Sequence, residues 1–112
     1  MNDKIKEVAF IDEKLKESYE KLNENNFQDH KLYEFISRAI NDLKDKPDCG
    51  IRVPNRLIPR EYSQKYEITN LWKYNLPNAW RLLYTITGNG IKIVSVLLDW
   101  MTHKEYERLF GY

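Results

Sequence analysis

The alternation of apolar and polar residues is clearest between residues 80 and 100, where it predicts two long strands joined by a turn. Large apolar side chains occupy every second position of residues 80–87, which is the period of a half-buried strand. The Gly-Asn-Gly sequence of residues 88–90 can supply the positive φ angles of a short hairpin turn. Residues 91–100 are apolar at nearly every position, which is typical of a strand covered on both faces, so we expect this strand at the centre of a sheet.

A short strand and two helices are predicted before this hairpin. Residues 7–11 alternate as a strand does, and Asp12 follows as an N-cap for a first helix over residues 12–22. We expect Asp29 to cap a second helix, which ends near Pro47. Both segments carry apolar residues at helical spacing, which predicts one buried stripe on each helix. The stripes are Leu15, Tyr19 and Leu22 in the first helix, and Leu32, Phe35, Ile36, Ala39, Ile40 and Leu43 in the second.

The remaining segments complete an α+β domain. Residues 51–59 contain two arginines and two prolines, which favours an edge strand or a loop, and residues 59–66 could form short helical turns. Residues 71–75 indicate another strand, and the Thr-x-x-Glu spacing of residues 102–105 predicts a capping box that starts a last short helix. The predicted order is therefore β-α-α-β-β-β, with an antiparallel sheet, two N-terminal helices packed on one face and a short C-terminal helix.

Length and composition predict a single domain over residues 1–112 with no metal site and no cofactor. The net charge is +1, but residues 1–50 carry −3 and residues 51–112 carry +4, which weakly favours a polyanion or an acidic partner for the second half. Cys49 is the only cysteine, so no internal disulfide is possible. The longest apolar run, near residues 93–98, is too short to cross a bilayer, and no signal peptide is evident. We therefore expect a cytoplasmic protein without a membrane partner.

Three segments, together with the order of elements, resemble the RelE/ParE superfamily of small toxins from toxin–antitoxin modules. They are Asn-Leu-Trp-Lys-Tyr-Asn-Leu-Pro at residues 70–77, Trp-Arg-Leu-Leu-Tyr-Thr-Ile at residues 80–86, and His-Lys-Glu-Tyr at residues 103–106, with Leu-Phe-Gly following at 109–111. Many RelE-like members are ribosome-dependent mRNA endonucleases, whereas ParE-type members poison DNA gyrase. The chain departs from the better-known nucleases because it lacks their lysine-dense helix and because its tail continues into a helix.

The resemblance implies a RelE-like endoribonuclease that acts without metal on ribosome-bound mRNA and is neutralised by a cognate antitoxin. The antitoxin would lie across the sheet and the helices as a peptide with apolar strips. Two alternatives remain open at this stage. One is a ParE-like gyrase inhibitor, and the other is a non-catalytic RNA- or protein-binding module with the same fold.

Arg81 is the candidate for stabilising charge at the reacting phosphate. The resemblance places the functional arginine on this strand, and a guanidinium binds phosphate through two parallel donors. The structural alternative is an ion pair: if Arg81 pairs near Leu97 in the hairpin, Asp99 lies diagonally across on the same face.

His103 and Tyr106 are the acid–base candidates, and Lys104 is a candidate phosphate contact. His103 is predicted at the start of the last helix, where the positive end of the helix dipole favours a neutral imidazole that can act as a base. Its alternative is an exposed helix-start residue without a role. Tyr106 shares a stripe with Leu109 and Phe110, which favours packing over catalysis.

Several cations interleaved with aromatic residues precede Arg81, and this pattern suits single-stranded RNA, which is bound by phosphate contacts and base stacking together. The candidate RNA-binding residues are Arg52, Arg56, Arg60 and Lys73, in addition to Lys104. The alternative is that the aromatic residues fill the core while arginines surround it, and for Trp72 this alternative is favoured.

Overall fold

The computed structural model describes residues 4–111 of the chain. Within this range the chain forms five strands, four α-helices and two 3-10 turns. Their order is β1 (Ile5–Phe10), α1 (Glu13–Leu22), α2 (Phe27–Asp45), a 3-10 turn (Pro47–Cys49), β2 (Ile51–Val53), a second 3-10 turn (Asn55–Leu57), α3 (Arg60–Tyr66), β3 (Leu71–Leu76), β4 (Trp80–Gly88), β5 (Lys92–Thr102) and α4 (His103–Phe110). The α+β class is confirmed.

The sheet is mixed, with the strand order β1-β5-β4-β3-β2. The neighbouring pairs from β5 to β2 are antiparallel, but β1 lies parallel to β5, so the prediction of an antiparallel sheet is wrong for this pair. Alternation of side chains is the same whichever way a strand runs, and no turn joins β1 to β5, so the pattern does not define their direction. Strand β5 is an interior strand, paired with β1 and β4, as its apolar character predicts, but the centre of the sheet is β4.

The hairpin of β4 and β5 has a different register from the one predicted for Arg81. Arg81 lies opposite Met101 on β5 and opposite Asn75 on β3. The register shifts where Leu83 pairs with Asp99 and the next residue pairs with Leu97, which leaves a β-bulge in β5. The expected pairing of Arg81 near Leu97 is therefore wrong by four positions. The turn accounts for three of them, because Gly88 lies opposite Ile93, and the bulge accounts for the fourth.

The turn of this hairpin also differs from the expected one. Gly88 still belongs to β4 and has a φ of +152°, whereas Asn89 and Gly90 do not adopt positive φ. The side chain of Asn89 instead accepts hydrogen bonds from the backbone N–H groups of Ile91 and Lys92. An Asx-type turn therefore replaces the turn of consecutive left-handed residues that the glycines predicted.

Helices α1 and α2 cover one face of the sheet, as predicted. The buried residues of this helix-side core are Leu32, Ile36, Ala39, Leu43, Leu76, Leu82, Tyr84 and Leu97. Asp12 caps α1 as expected by accepting from the N–H of Leu15. Helix α2 is capped by Asn26 and not by Asp29, because the helix begins one turn earlier at Phe27, outside the apolar stripe.

The opposite face of the sheet has its own core, covered by α3 and α4. The buried residues of this α4-side core are Val53, Tyr62, Leu71, Leu83, Leu98, Met101 and Tyr106. The edge character predicted for residues 51–59 is confirmed, since β2 pairs only with β3 at the end of the sheet. None of the helices within residues 4–111 has the length and apolar character needed to cross a membrane.

Candidate functional site

Arg81 lies on the face of β4 that carries the α4-side core. Arg81 and Leu83 are two residues apart on β4, so their side chains lie on the same face, and Leu83 belongs to this core. The cross-strand partners of Arg81, Asn75 and Met101, lie on this face as well. The side chain is half-buried, near the end of the sheet from which α4 starts. The sheet therefore holds this guanidinium beside the first turn of the last helix.

His103 is the first residue of α4, and two sets of hydrogen bonds hold this end of the helix. Thr102 forms the predicted capping box: its hydroxyl accepts from the N–H of Glu105, and the carboxylate of Glu105 accepts from the N–H of Thr102. The N–H of His103 donates to the carbonyl of Ala79 in the turn between β3 and β4, over 2.7 Å. The imidazole therefore projects from a helix start whose backbone is hydrogen-bonded to the turn between β3 and β4 and follows directly on β5.

A continuous chain of side chains joins Arg81, His103 and Glu107. Nη2 of Arg81 lies 3.0 Å from Nδ1 of His103. Nε2 of the same imidazole lies 2.7 Å from Oε1 of Glu107, one helical turn further along α4. The side chains of His103 and Glu107 are 46% and 42% exposed, so solvent and a ligand can reach them.

The chemistry of the three groups defines where the protons lie in this chain. A guanidinium only donates hydrogen bonds, so Nδ1 of His103 accepts with its single lone pair. The proton of a neutral imidazole is then on Nε2, where it donates to the carboxylate of Glu107. The imidazole of His103 thus bridges a cation and an anion, and the contacts on its two nitrogens orient the ring.

The guanidinium of Arg81 has a further partner, and one of its buried donors is unpaired within the described residues. Nη1 donates to the carbonyl of Trp80 over 3.1 Å, while Nε is buried and has no hydrogen-bond partner within the described part of the chain. Hydrogen bonds of Nη1 to Trp80 and of Nη2 to His103 thus orient the guanidinium, and the second of these contacts is exposed to solvent. An oriented, partly exposed guanidinium next to an imidazole is an arrangement that can bind a phosphate.

Asp99 does not pair with Arg81, contrary to the structural alternative. Its carboxylate accepts from the hydroxyl of Tyr62 on α3, at 3.4 Å, and from the N–H of Trp100, at 2.8 Å. Burial raises the pKa of Asp99 above its ordinary value, and burial beside this carboxylate raises the pKa of Tyr62. Asp99 lies opposite Leu83, on the face of Arg81 and diagonally across from it, but its carboxylate is bonded to Tyr62 and Trp100 while the guanidinium of Arg81 contacts His103.

The other candidates on α4 and β3 lie close to this chain but in different environments. Tyr106 is only 4% exposed and packs against Phe110, with ring centroids 4.3 Å apart. Nζ of Lys73 lies 4.9 Å from the centre of the Tyr106 ring, which is the geometry of a cation–π contact. Lys104 is exposed and follows His103 directly. The structure thus brings Arg81, His103, Lys73 and Tyr106 to one face, while Lys104 is placed only as an exposed residue of the same helix turn.

The three arginines proposed for RNA contact are not part of this group. Arg52 lies on β2 opposite Trp72, with its guanidinium 6.0 Å from the centre of that ring, and Trp72 packs on the helix-side core. Arg56 and Arg60 are exposed in the segment between β2 and β3. No hydrogen bond or ion pair among the described residues links these three arginines to Arg81 or His103.

Glu107 was missed by the analysis of the sequence. A signal was present, because His103 and Glu107 are four residues apart in a predicted helix, the spacing at which side chains meet. The pairing becomes specific only once Arg81 occupies the other nitrogen of the imidazole. No group of three or more His, Cys, Asp or Glu side chains suited to a metal ion occurs within residues 4–111.

Comparisons of this chain with protein families, with curated proteins and with solved structures found no match.

Proposed function

We propose that this protein is a RelE-like toxin, a metal-independent endoribonuclease that cleaves mRNA in the cytoplasm. The observation that supports the proposal is the chain Arg81–His103–Glu107, in which a half-exposed imidazole lies between a guanidinium and a carboxylate. Metal-free RNA cleavage needs a base for the 2′-hydroxyl and a cation for the charge that develops on the phosphate. His103 and Arg81 are groups of these two kinds at hydrogen-bond distance from each other.

The reaction is a transfer within the RNA itself. Nδ1 of His103 takes the proton of the 2′-hydroxyl, the 2′ oxygen forms a bond to phosphorus, and the bond from phosphorus to the 5′ oxygen breaks. Water protonates the departing 5′ oxygen, and the hydroxide formed takes the proton from Nδ1, which restores His103 and leaves a 2′,3′-cyclic phosphate and a 5′-hydroxyl. Arg81 stabilises the negative charge on the phosphate oxygens, and Glu107 stabilises the imidazolium that forms.

Lys73 and Lys104 contribute phosphate contacts in this proposal, because Lys73 lies on the face that carries Arg81 and Lys104 is exposed directly after His103. Tyr106 supports the site by packing, since its ring is buried beneath α4. Arg52, with its aromatic neighbour Trp72, contacts a more distant part of the RNA or of the ribosome. A phosphate contact of this kind changes affinity and its salt dependence without changing the chemical step.

A cognate antitoxin is the proposed protein partner. Phe27 is 73% exposed at a cleft of about 610 Å³ that also contains Phe35 and Trp80. Apolar side chains exposed in this way favour a partner that covers them. An antitoxin peptide bound there would lie close to the turn that holds α4, because Asn78 of that turn also lines the cleft.

The test is cleavage of an end-labelled mRNA by the purified chain in a translation extract, with and without chelator. We expect cleavage that resists the chelator and fragments with cyclic phosphate ends. The variants Arg81→Ala and His103→Ala should each lose roughly 10²-fold or more in rate. The control Arg38→Ala, which removes an exposed arginine from α2, should cleave as the wild type does. Intact mRNA in the extract, or cleavage that persists in Arg81→Ala, would contradict the proposal. Inhibition of DNA supercoiling by gyrase would favour the alternative of a ParE-like gyrase inhibitor.

A further inference from the structure

Both nitrogens of the His103 imidazole are already engaged in the free protein. Nδ1 accepts from Arg81 at 3.0 Å, and Nε2 donates to Glu107 at 2.7 Å. A neutral imidazole has one lone pair available for a proton, and here Arg81 occupies it. His103 therefore cannot act as a base while the chain Arg81–His103–Glu107 is closed.

The positive charge of Arg81 also opposes a proton on Nδ1 of His103 as long as Arg81, His103 and Glu107 stay hydrogen-bonded to one another. A proton on Nδ1 would place an N–H against the N–H of Arg81, so that two donors and two cations would face each other across 3.0 Å. Glu107 attracts the imidazolium from the other side, but it does not remove the clash at Nδ1. The bond between Arg81 and His103 has to open before the imidazole can take a proton.

A phosphodiester is the group that can open this bond. The guanidinium is a charged donor in both cases, but the imidazole is a neutral acceptor whereas a phosphate oxygen is anionic, so the phosphate adds attraction between opposite charges and can accept two parallel N–H bonds. The guanidinium is half-buried and its contact with His103 faces the surface, so an anion can reach Nη2. Nη1 stays attached to the carbonyl of Trp80, which keeps the group in place during the exchange.

We propose that phosphodiester binding at Arg81 releases Nδ1 of His103 and thereby creates the base, so that the protein is catalytically competent only when RNA is bound. This inference rests on the proposed function and adds the regulation of the same site. Glu107 acts as a positioning residue: it keeps the proton on Nε2 before the exchange and faces the imidazolium afterwards. The proton of the 2′-hydroxyl then moves to the freed Nδ1, as the 2′ oxygen bonds to phosphorus.

The test is a heteronuclear NMR experiment that reads the protonation of each imidazole nitrogen in protein labelled with ¹⁵N-histidine. His30, which is exposed on α2 and lies 3.5 Å from Glu34, is an internal control within the same spectrum. The probe is a 2′-O-methyl RNA tetranucleotide, which binds as a phosphodiester but has no 2′-hydroxyl and cannot be cleaved. Inorganic phosphate is the second probe, and sodium chloride at equal ionic strength is the control for salt.

In the free protein we expect His103 to carry its proton on Nε2 and a bare Nδ1. At constant pH, the tetranucleotide should move the Nδ1 signal of His103 towards the protonated position and leave His30 unchanged. Arg81→Ala should abolish this response, because the variant lacks the group that exchanges one acceptor for the other. Glu107→Gln should keep the proton on Nε2 in the free protein, because Arg81 still occupies Nδ1, but its cleavage rate at saturating RNA should fall roughly 10²-fold with half-saturation unchanged.

The inference and the proposed function fail in different ways. A protonated Nδ1 in the free protein, or an unchanged His103 signal when the tetranucleotide is saturating, overturns the inference even if mRNA is cleaved. A response of His103 to the tetranucleotide combined with intact mRNA supports release of Nδ1 by phosphate and overturns the nuclease. Absence of any binding of the tetranucleotide overturns the inference as well.

Discussion

The carbonyl oxygen of Ala79 accepts a hydrogen bond from the backbone N–H of His103 over 2.7 Å, so the turn between β3 and β4 holds the start of α4. This turn is strained. Asn78 and Ala79 have φ angles of 59° and 61°, and the left-handed region is unfavourable for alanine because of its Cβ. A non-glycine residue held in this region is often found where a functional group has to be positioned.

Substitutions at Ala79 should separate this strain from the position of His103. Ala79→Gly removes the Cβ clash, which costs ~1–2 kcal/mol, but it adds ~0.4–1 kcal/mol of unfolded-state entropy, so we expect a small gain in stability. Ala79→Val should destabilise by ~1–2 kcal/mol, since a β-branched residue is worse in this region. Urea denaturation measures both changes. A destabilised Ala79→Gly variant would show that the strain has no cost that glycine can relieve.

The hydroxyl of Tyr84 joins the sheet to the segment that follows α2, and its removal is the second prediction. The buried hydroxyl donates to the carbonyl of Pro47 at 2.8 Å and accepts from the N–H of Gly50 at 3.1 Å. Tyr84→Phe leaves both backbone groups without this partner, so the free energy of unfolding should fall by ~1–3 kcal/mol. The matched control is Tyr74→Phe, whose hydroxyl donates to Asp42 at an exposed position and whose loss should cost less.

Gly50 provides an independent check of the same contact. A Cβ at Gly50 would lie 2.5 Å from the Tyr84 hydroxyl and 2.7 Å from the carbonyl oxygen of Lys73. Gly50→Ala should therefore destabilise by ~1–3 kcal/mol through overpacking. Equal stability of Gly50→Ala and wild type in urea would show that this segment moves away from the sheet without cost.

Much of the fold follows from local patterns. The continuous apolar character of residues 91–100 predicts a central strand, and the side chains of Asp12 and Thr102 predict two helix starts, because each of these signals acts within a few residues. The start of α2 is harder to predict, since Asn26 and Asp29 can both cap a helix. The direction of β1 relative to β5 depends on a contact between distant segments, which a local pattern does not contain.

The candidate site shows the same limit. Arg81 and His103 were each predicted from residue type and resemblance, but their contact depends on the register of β4 against β5 and on the turn at Ala79. The bulge leaves Asp99 diagonally across from Arg81 on the same face, as predicted, but the carboxylate accepts from Tyr62 and does not form the predicted ion pair. Glu107 could be recognised only after the imidazole had a partner on its other nitrogen.

The capping box of Thr102 should affect both stability and activity, which is the third prediction. Thr102→Ala removes the acceptor for the N–H of Glu105, and loss of such a cap costs ~0.5–2 kcal/mol. The first turn of α4 carries His103, so the cleavage rate should fall as well. Thr102→Ser keeps the hydroxyl and should restore both properties. If activity is lost in both variants while stability recovers in the serine variant, the methyl group of Thr102 and not the cap is responsible.

The carboxyl group of Asp99 should make the stability of the protein depend on pH in a defined direction. Burial raises the pKa of Asp99 above its ordinary value of 3.8, so between these two values the folded protein holds a proton that the unfolded chain has released. The contribution of Asp99 is therefore fully present below the ordinary value and is lost as the pH rises through the raised one. Glu105 acts in the opposite sense, because hydrogen bonds from Thr102 lower its pKa.

Asp99→Asn isolates this contribution, because the variant keeps Glu105 and all other titrating groups. Asparagine retains an acceptor for the N–H of Trp100 and a polar group beside Tyr62, but it does not titrate. We expect the variant to gain stability relative to the wild type as the pH rises above 3.8 and through the raised pKa of Asp99. Urea denaturation at a series of pH values measures the difference, with Asp45→Asn, at an exposed position, as the control. A difference that is constant with pH, or that changes in the opposite direction, would show that the Asp99 carboxylate remains well solvated beside Tyr62.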